Sequence, residues 1–498
     1  MVFLGIDIGT SAVKAVLVDE RETVIGEGSA PIPSAEPRPG WSEQNPEDWW
    51  RATETAVAAV RQDAPAAFQG VAAIGLSGQM HGVTLLDGHD APIRPSIIWA
   101  DSRGVEECAE IEAAVPRLPW IAGVIAMPSF TAPKLRWLGR HEPRSLARAR
   151  RVPLAKDYVR LRLTGEFATD MGDAAGSLLL DEAKRDWSAP ILAAAGIDRD
   201  VLPRLLEGSM PSGMLRPALR EAWGIAGNVT VAAGAADAAA GAIGIGAVDE
   251  GDSFISLGTS AQYFVTRERY EPKPETLIHA FAHALPNRWF EMAAMLNGAS
   301  PLSWAARTFA IPDIGAVIEQ VEARFRGPSR IICLPYLAGE RTPLNDPDVR
   351  GALFGLDHGA DITDIVQAVL EGAAFSLMDA QLALKAAGRS TAPVSLVGGG
   401  ARSRFWMKLI ASAIGLPVLR HAGSEKGPAF GAARLGRMAL TGESPATVCA
   451  KPPVIETIEP DPALGERYRE RFETYRKLYR ALRPGPSPRA DRLPAAIP

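Results

Sequence analysis

An internal repeat constrains the fold of this chain of 498 residues more than any other feature. Residues 5–12 read GIDIGTSA, and residues 254–261, half the chain further on, read FISLGTSA. Each copy is an apolar run, a Gly-Thr-Ser turn and a second strand-like run, which predicts a β-hairpin. Repetition over this distance predicts two related α/β halves that face each other across one cleft.

A second pair of segments occurs in the same order along the chain. Residues 231–237 and residues 396–402 each run from an apolar stretch through Gly and Ala towards a predicted helix. We expect these segments to be equivalent strands of the two halves. Because the second copy lies closer to its hairpin, the first half is expected to carry insertions.

Composition limits the classes of partner. Hydrophobic residues make up 47% of the chain and charged residues 22%, which is typical of globular domains. The net charge of −5 gives no long-range attraction for nucleic acid or for an anionic membrane. The three cysteines lie far apart, without a C-x-x-C spacing, so we expect a reduced, cytoplasmic location.

The most apolar stretch, residues 229–248, is tested as a membrane span. It consists mostly of Ala and Gly and carries Asp237 near its middle. A carboxylate there would cost about 2.5 to 3.5 kcal/mol inside a bilayer. A strand followed by a helix of small residues is therefore predicted instead.

Both turns are small and hydroxyl-bearing, as phosphate-binding turns are. Such turns expose backbone N–H groups and leave room for a phosphate. The candidate phosphate-binding residues are Thr10, Ser11, Gly258 and Thr259.

Only the first hairpin carries a carboxylate, because Asp7 falls opposite Ser256 when the two hairpins are aligned. A carboxylate beside bound phosphate is unfavourable unless a cation lies between them, and Mg²⁺ is the usual cation. Asp7 is therefore a candidate magnesium residue, directly or through water; the alternative is a carboxylate that caps the turn. Lys14 follows the same turn and either reaches a phosphate or is a solvated surface lysine.

Asp237 follows an apolar run and opens a segment of Ala and Gly. It either caps a helix, where an acid gains from the helix dipole, or accepts a proton from a hydroxyl nucleophile, for which its small neighbours leave room.

Gly399, Gly400 and Ala401 lie between a predicted strand and a predicted helix, where a nucleotide can approach the backbone. Residues 427–433 are a second run of small residues, which is expected to form the bottom of the same nucleotide pocket. The chain has neither a P-loop nor a complete G-x-G-x-x-G pattern, which argues against those nucleotide folds. His279 and His283 are four residues apart but lack the H-E-x-x-H pattern, so no zinc site is expected.

Several segments resemble the FGGY family of carbohydrate kinases, from Phe3 to about Leu482. Residues 129–138, SFTAPKLRWL, are similar to the first family signature, and residues 351–371 are similar to the second. The segments similar to the xylulokinase branch in particular are residues 41–50, 79–82, 279–286 and 339–343.

The resemblance implies two actin-like (ribonuclease H-like) domains with the active site in the cleft between them. It also implies ATP and Mg²⁺ as cofactors and phosphorylation of a sugar hydroxyl. Asp237 matches the catalytic base of the family, and Asp7 matches its magnesium-linked acid.

The sugar contacts of the family match Met80 and His81; on its residues alone, His81 would be a structural histidine. The loop at residues 99–103 is similar to the sugar-side loop, which makes Asp101 and Arg103 candidate hydroxyl partners. The alternative for these two residues is an ion pair at the surface.

The expected substrate is D-xylulose, phosphorylated to D-xylulose 5-phosphate. Ala238 stands where xylulokinases usually have Asn, and Ala100 replaces a residue that is often polar, so another pentulose, a polyol or a sugar acid stays open. The alternative from another class is an actin- or chaperone-type ATPase. Only a short segment follows residue 431, which argues against the large substrate domain of a chaperone.

Residues 1–246 are expected to form the domain with the sugar site and the base, and residues 247–483 the nucleotide domain. Residues 484–498, rich in Pro and Ala, are expected to be a disordered tail. The glycine-containing segment 241–246 lies between the two repeats and is a candidate hinge. The expected partners are the sugar and ATP, not nucleic acid or membrane, with a homodimer left open.

Overall fold

The structure is a computed structural model that describes residues 1–388, 393–422 and 427–483. The tail expected at residues 484–498 lies outside the described residues. The strands, numbered β1 to β22 in chain order, are Val2–Ile8, Ala12–Asp19, Val24–Pro31, Glu43–Gln44, Val71–Gly78, Ser96–Ile97, Ala168–Asp170, Leu180–Asp181, Asp186–Trp187, Arg204–Leu206, Pro211–Met214, Thr230–Ala232, Ala235–Ala236, Ser253–Leu257, Ala261–Arg267, His279–Ala282, Trp289–Met295, Ile332–Leu334, Ala352–Phe354, Val394–Val397, Val418–His421 and Val454–Ile458.

Helices cover both faces of the sheets. The α-helices, numbered α1 to α18 in chain order, are Pro46–Asp63, Pro65–Phe68, Val105–Ala114, Leu118–Ile121, Thr131–His141, Pro143–Arg148, Ala155–Thr164, Met171–Ala175, Ala189–Ala195, Pro217–Trp223, Asp237–Ile245, Ser300–Thr308, Ile314–Arg324, Ile362–Ala386, Arg404–Ile414, Gly427–Thr441, Pro445–Val448 and Pro462–Leu482. Short 3₁₀ turns occur at Arg199–Val201, Pro274–Thr276 and Gly399–Arg402.

Two seven-stranded mixed sheets form the centres of the two halves. The first has the order β11-β12-β5-β1-β2-β3, with β13 also beside β5, and the second has the order β16-β17-β15-β14-β20-β21-β22. Both predicted hairpins are present, as the antiparallel pairs β1–β2 and β14–β15. The first strand of each hairpin has a parallel neighbour, β5 or β20. The predicted α/β class and the duplication are therefore confirmed.

The second predicted equivalence is wrong. Residues 231–237 include β12 and β13, which pair with β5, whereas residues 396–402 follow from β20, which pairs directly with β14. By position in the sheet, β20 is equivalent to β5, and β21 is equivalent to β12. The two segments resemble each other because both leave an apolar parallel strand through small residues.

Local sequence signals set the ends of the first and last long helices. Asn45 caps α1, and its side chain accepts a hydrogen bond from the backbone N–H of Glu47. An aromatic stripe at helical spacing, formed by Tyr468, Phe472, Tyr475 and Tyr479, is buried on α18. Leu482 ends that helix with 54% of its surface exposed, so the buried stripe stops before it.

Helix α16 joins the two halves, because it lies late in the sequence but packs on the first sheet and against α11. A Cβ atom on Gly5 would lie 1.8 Å from the carbonyl oxygen of Ala429, and one on Gly431 would lie 1.8 Å from that of Ala240. These glycines allow backbone to approach backbone. The candidate hinge, residues 241–246, is the end of α11 and its glycine cap, so hinge motion there stays a prediction.

The stretch tested as a membrane span contains β12, β13 and α11. None of the helices formed by the described residues combines the length and the apolar character needed to cross a bilayer.

Because α16 packs closely on the first sheet, we expect a single added methyl group there to lower the stability of the fold strongly. A Cβ atom on Gly75 would lie 1.7 Å from the carbonyl oxygen of Ala432. We expect Gly75→Ala to destabilise the fold by about 1 to 3 kcal/mol or more, because the backbone must shift. Gly88, which has open space around it, is the matched control, and Gly88→Ala should stay within about 0.5 kcal/mol. Thermal unfolding followed by circular dichroism measures both, and equal melting temperatures would contradict the packing argument.

Candidate active site

The candidate site lies where parallel strands of the first sheet end together. Asp7 in β1 and Ala235 in β13 both pair with Ser77 in the intervening strand β5. Asp237 follows β13 directly, and Met80 and His81 follow β5. The sheet therefore brings the predicted base, the predicted magnesium residue and the predicted sugar contacts to one edge.

Asp237 is the first residue of α11 and does not cap it, since Ala236 occupies the cap position. Its Oδ1 accepts a hydrogen bond of 2.7 Å from the backbone N–H of Ala238. Burial and the negative charge of Asp7 raise the pKa of Asp237 to about 7. A carboxylate with this pKa can accept a proton at neutral pH.

Asp7 lies inside β1 rather than at the turn, and 8% of its surface is exposed. Burial raises the pKa of Asp7 to about 6, against the opposing effects of Ser77 and of the positive charge on Lys14. Its Oδ1 is buried and has no hydrogen-bond partner among the described residues. An unpaired buried carboxylate oxygen is costly unless a cation or a donor meets it.

A cavity of about 310 Å³ opens beside Asp237 between the two halves. From the first half it is lined by Lys14, Asp237 and the glycine side of α11. The lining residues from the second half are Phe254, Ser256, Gly258, Ser260, Gln262, Val397, Gly398, Gly427 and Pro428. The cavity thus combines one lysine with glycine backbone and small hydroxyls, which suits phosphate groups.

A larger groove of about 720 Å³ lies on the other side of Lys14, between β2, β3 and α16. Its lining includes Glu22 and Glu27. Two carboxylates make this groove unsuitable for phosphate, so the smaller cavity is the candidate nucleotide site.

The two Gly-Thr-Ser turns are closed by backbone hydrogen bonds of different span, over three residues in the first turn and over two in the second. The N–H of Gly9 donates to the carbonyl of Ala12 at 3.1 Å, and that of Gly258 donates to Ser260 at 3.0 Å. Ser11 and Thr259 are exposed, as phosphate-binding hydroxyls must be. The Thr10 hydroxyl instead accepts a hydrogen bond from the indole N–H of Trp99.

The run Gly399, Gly400 and Ala401 in the second half is partly exposed and partly buried. Gly399 is exposed and has open space around it. Gly400 and Ala401 are buried, and a Cβ atom on Gly400 would lie 2.3 Å from a methyl carbon of Leu257. Of the three predicted nucleotide residues, only Gly399 presents an open surface, and Gly398 before it lines the cavity.

Met80 and His81 are buried at the end of β5. The imidazole Nδ1 of His81 lies 2.5 Å from the carbonyl oxygen of Gly176, and burial holds the pKa of His81 well below its usual range. His81 is therefore neutral, with Nδ1 donating and Nε2 free to accept a hydrogen bond from a ligand hydroxyl. The ammonium of Lys134 donates to the His81 carbonyl at 3.0 Å and holds this loop in place.

The side chains of Asp101 and Arg103 are engaged in ion pairs inside the protein. The Arg103 guanidinium binds Asp101 and Glu43, each at 2.7 Å, and its Cζ lies 3.7 Å from the ring centroid of Trp41 and 5.0 Å from that of Trp137. Both charged side chains are almost fully buried. The predicted hydroxyl contacts are not supported by this geometry. The ion-pair alternative holds, but in the interior rather than at the surface.

Comparison with known proteins decides the family. Residues 2–244 match the FGGY family of carbohydrate kinases, N-terminal domain, and residues 253–440 match the C-terminal domain of the same family. This chain belongs to the FGGY family of carbohydrate kinases. The alternative of an actin- or chaperone-type ATPase is therefore wrong.

Relatives of this FGGY kinase match it over nearly its whole length. It is 44% identical to the xylulose kinase of Escherichia coli, over 97% of this chain and 99% of the relative. It is 34% identical to the xylulose kinase of Bacillus subtilis, over 96% of each chain. The crystal structure of a "xyloylose kinase" from Brucella ovis has a TM-score of 0.92 and 45% identity, over 97% of this chain and 99% of that one. FGGY kinases of known structure, such as the Brucella ovis protein, have the pair of actin-like domains that was predicted for this chain.

Some residues at the site were not predicted from the sequence. Ser260 and Gln262 line the cavity together with Ser256 and Gly258. Ser256 and Gln262 are paired directly across the hairpin, so the pairing set by the turn would have identified Gln262 from Ser256.

The base is tested with Asp237→Asn, which keeps the shape of the side chain. We expect sugar-dependent turnover to fall by about 10²- to 10⁴-fold while ADP binding is retained. Asp200→Asn, at an exposed position, is the control and should leave turnover unchanged. Near-normal turnover of Asp237→Asn would contradict the assignment.

The same variant tests the pKa of Asp237 through stability. A folded-state pKa of about 7 against the ordinary 3.8 means that the stability contributed by this group is complete below pH 3.8 and is lost as pH rises towards 7. Asparagine does not ionise, so the variant should melt above the wild type, and by a larger margin at pH 8 than at pH 5.5. A margin that does not change with pH would contradict the raised pKa.

Proposed function

We propose that this FGGY kinase transfers the γ-phosphoryl group of ATP to the terminal hydroxyl of D-xylulose, giving D-xylulose 5-phosphate and ADP. The observation that carries the proposal is the carboxylate of Asp237, which opens α11 at the wall of the cavity between the two halves. The identity of 44% to a xylulose kinase over 97% of the chain supports the choice of sugar.

In the proposed reaction Asp237 accepts the proton of the sugar hydroxyl. The hydroxyl oxygen forms the new bond to the γ-phosphorus as the bond to the bridging oxygen of ADP breaks. Lys14 and the second Gly-Thr-Ser turn line the cavity beside Asp237. Together with the backbone N–H groups of the first turn, they are proposed to stabilise the charge that develops on the transferring oxygens. The dipole of α11 stabilises the ionised form of Asp237 at its first turn.

Asp7 is proposed to hold Mg²⁺, directly or through water. The fit rests on its buried Oδ1, which lacks a partner among the described residues, and on the hard oxygen ligand that a carboxylate provides. When bound, the ion supplies positive charge beside the phosphate oxygens. Asp7 itself holds the negative charge that raises the pKa of Asp237, so a cation at Asp7 would lower that pKa and favour the ionised base.

Met80 and His81 are proposed to contact the sugar, with Nε2 of His81 as a hydrogen-bond acceptor. Thr10, Ser11, Lys14, Gly258, Thr259 and Gly399 are proposed to contact ATP; Gly400 and Ala401 support that surface from below. Ala238 lines the cavity at the position where xylulokinases usually have Asn. The choice among sugars therefore needs a direct comparison of substrates.

The test is a coupled assay of ADP release with D-xylulose, other pentuloses, pentitols and sugar acids. The proposal expects turnover that depends on the added sugar, with D-xylulose giving a higher kcat/KM than the others. A pentitol or a sugar acid that outperforms D-xylulose would overturn the proposed substrate while leaving the kinase chemistry intact.

Asp7→Asn tests the magnesium assignment separately. Loss of the anionic ligand should raise the Mg²⁺ concentration for half-maximal rate by at least about tenfold, whereas calorimetry should give the same Kd for D-xylulose without nucleotide. If the Mg²⁺ requirement stayed unchanged and sugar affinity collapsed instead, Asp7 would belong to the sugar site.

We also propose a division between the two domains near residues 246 and 247, where the first sheet and α11 end. A cytoplasmic location is proposed because Cys108, Cys333 and Cys449 are all free and buried. A homodimer stays a prediction.

A further inference from the structure

Arg341 lies in a segment that is firmly held on the second sheet. On one side, the carboxylate of Glu340 accepts a hydrogen bond of 2.6 Å from the backbone N–H of Leu296. On the other side, the N–H of Thr342 donates to the carbonyl of Ala294 at 3.0 Å, and the N–H of Ala294 donates to the Thr342 hydroxyl at 3.2 Å. The backbone of Arg341 is therefore fixed from both sides at the end of β17.

The side chain of Arg341 reaches across to the first half. Its Cζ lies 5.5 Å from the ring centroid of Trp99. The indole N–H of Trp99 in turn donates to the Thr10 hydroxyl in the first Gly-Thr-Ser turn at 2.8 Å. A residue of the second half thus presents its charge at the end of β1 and β5, beside the proposed sugar contacts.

The guanidinium has no hydrogen bond or ion pair to any residue in the described parts of the chain. The nearest acidic neighbour, Glu340, is occupied by the backbone N–H groups of Leu296 and Arg341 itself. Burial lowers the pKa of Arg341 to about 10, which leaves it charged at neutral pH. The side chain is only half-buried, so its five N–H donors are accessible to a ligand with several acceptor oxygens.

His279 is a second unpartnered group in the same region. Only 1% of its surface is exposed, and neither ring nitrogen has a hydrogen-bond partner among the described residues. Its ring centroid lies 5.8 Å from that of Phe130, which packs at 4.6 Å against His81. Burial lowers the pKa of both His279 and His81, and the charge of Arg341 lowers both further, which places all three side chains close together.

We infer that Arg341, with His279 beside it, binds the oxygens at the non-reacting end of the acceptor. This inference rests on the proposed function, because it needs the opposite end of the acceptor at Asp237. Neither Arg341 nor His279 lines the cavity proposed for the phosphates, whereas both lie beside His81. The planar fork of a guanidinium matches two adjacent oxygens, such as a ketose carbonyl and the neighbouring hydroxyl.

The proposed acceptor site contains residues from both halves of the protein. Met80 and His81 belong to the first half, and Arg341 and His279 belong to the second, so an acceptor held by both sets links the two walls of the cleft. A sugar bound in this way stabilises the arrangement in which the second-half phosphate turn faces Asp237.

The experiment measures kcat and KM for D-xylulose, for xylitol and for ATP in the wild type, Arg341→Gln and Arg341→Lys. We expect Arg341→Gln to lower kcat/KM for D-xylulose by about 10- to 100-fold, the range of a hydrogen bond to a charged group, with KM for ATP unchanged within about twofold. The preference for D-xylulose over xylitol should shrink, because xylitol lacks the carbonyl. Arg341→Lys keeps the charge but not the fork and should be intermediate.

Arg326→Gln is the matched control, since Arg326 lies just after α13 in the same half, is exposed and bonds only backbone carbonyls. It should behave as the wild type. Losses of equal size for D-xylulose and for ATP, or an unaltered preference between D-xylulose and xylitol, would overturn the assignment of Arg341. A wild type that does not phosphorylate D-xylulose would overturn the proposed substrate instead, and the same variants would then be compared on the acceptor that it does phosphorylate.

Discussion

The burial of two neighbouring carboxylates is the constraint on which the site depends. Asp7 and Asp237 stand at the ends of β1 and β13, with only β5 between them. Burial raises the pKa of each, to about 6 and about 7, and the charge of Asp7 adds to the shift at Asp237. An empty site therefore tends to hold a proton at this pair, which keeps the base inactive. With a cation held by Asp7, as proposed above, the repulsion would be removed and the pKa of Asp237 would fall, so binding of the metal and its nucleotide would favour the ionised form of the proposed base.

The scaffold keeps these two groups in register by backbone packing rather than by side chains. Helix α16 approaches β1 and β5 through Gly5 and Gly75, and it approaches α11 through Gly431. Because α11 begins at Asp237, its position relative to the first sheet follows from these contacts. The same helix begins at the floor of the cavity with Gly427 and Pro428. The packing that joins the two halves therefore also positions Asp237, the proposed base, beside the cavity proposed for the phosphates.

The sequence was sufficient for features that repeat or alternate locally, and insufficient for those that depend on distant partners. The hairpins and the α/β class followed from a short repeat, and Asp7 drew attention because one copy carried an acid and the other did not. The equivalence of residues 231–237 with 396–402 failed because small residues follow several strands at the cleft, so the pattern does not identify which strand it is. The surroundings of Asp101 and Arg103 could not be predicted for a related reason, because their interaction with each other and with Glu43 depends on tertiary packing against tryptophans. Arg341 stands out because its guanidinium has no partner among the described residues. A local sequence pattern cannot show that a distant partner is missing.

The most direct measurement of the central claim is the pH dependence of kcat/KM for Mg-ATP, with the acceptor at saturation, in the wild type and in Asp7→Asn. We predict an acidic limb near pH 7 in the wild type, because the enzyme without metal and nucleotide must lose a proton from Asp237 before it reacts. Removal of the charge at position 7 should move that limb to lower pH, even though the rate itself is reduced. A wild-type limb near pH 4, the range of an ordinary carboxyl group, or a limb that stays at the same pH in Asp7→Asn would contradict the claim that burial and the charge of Asp7 raise the pKa of Asp237.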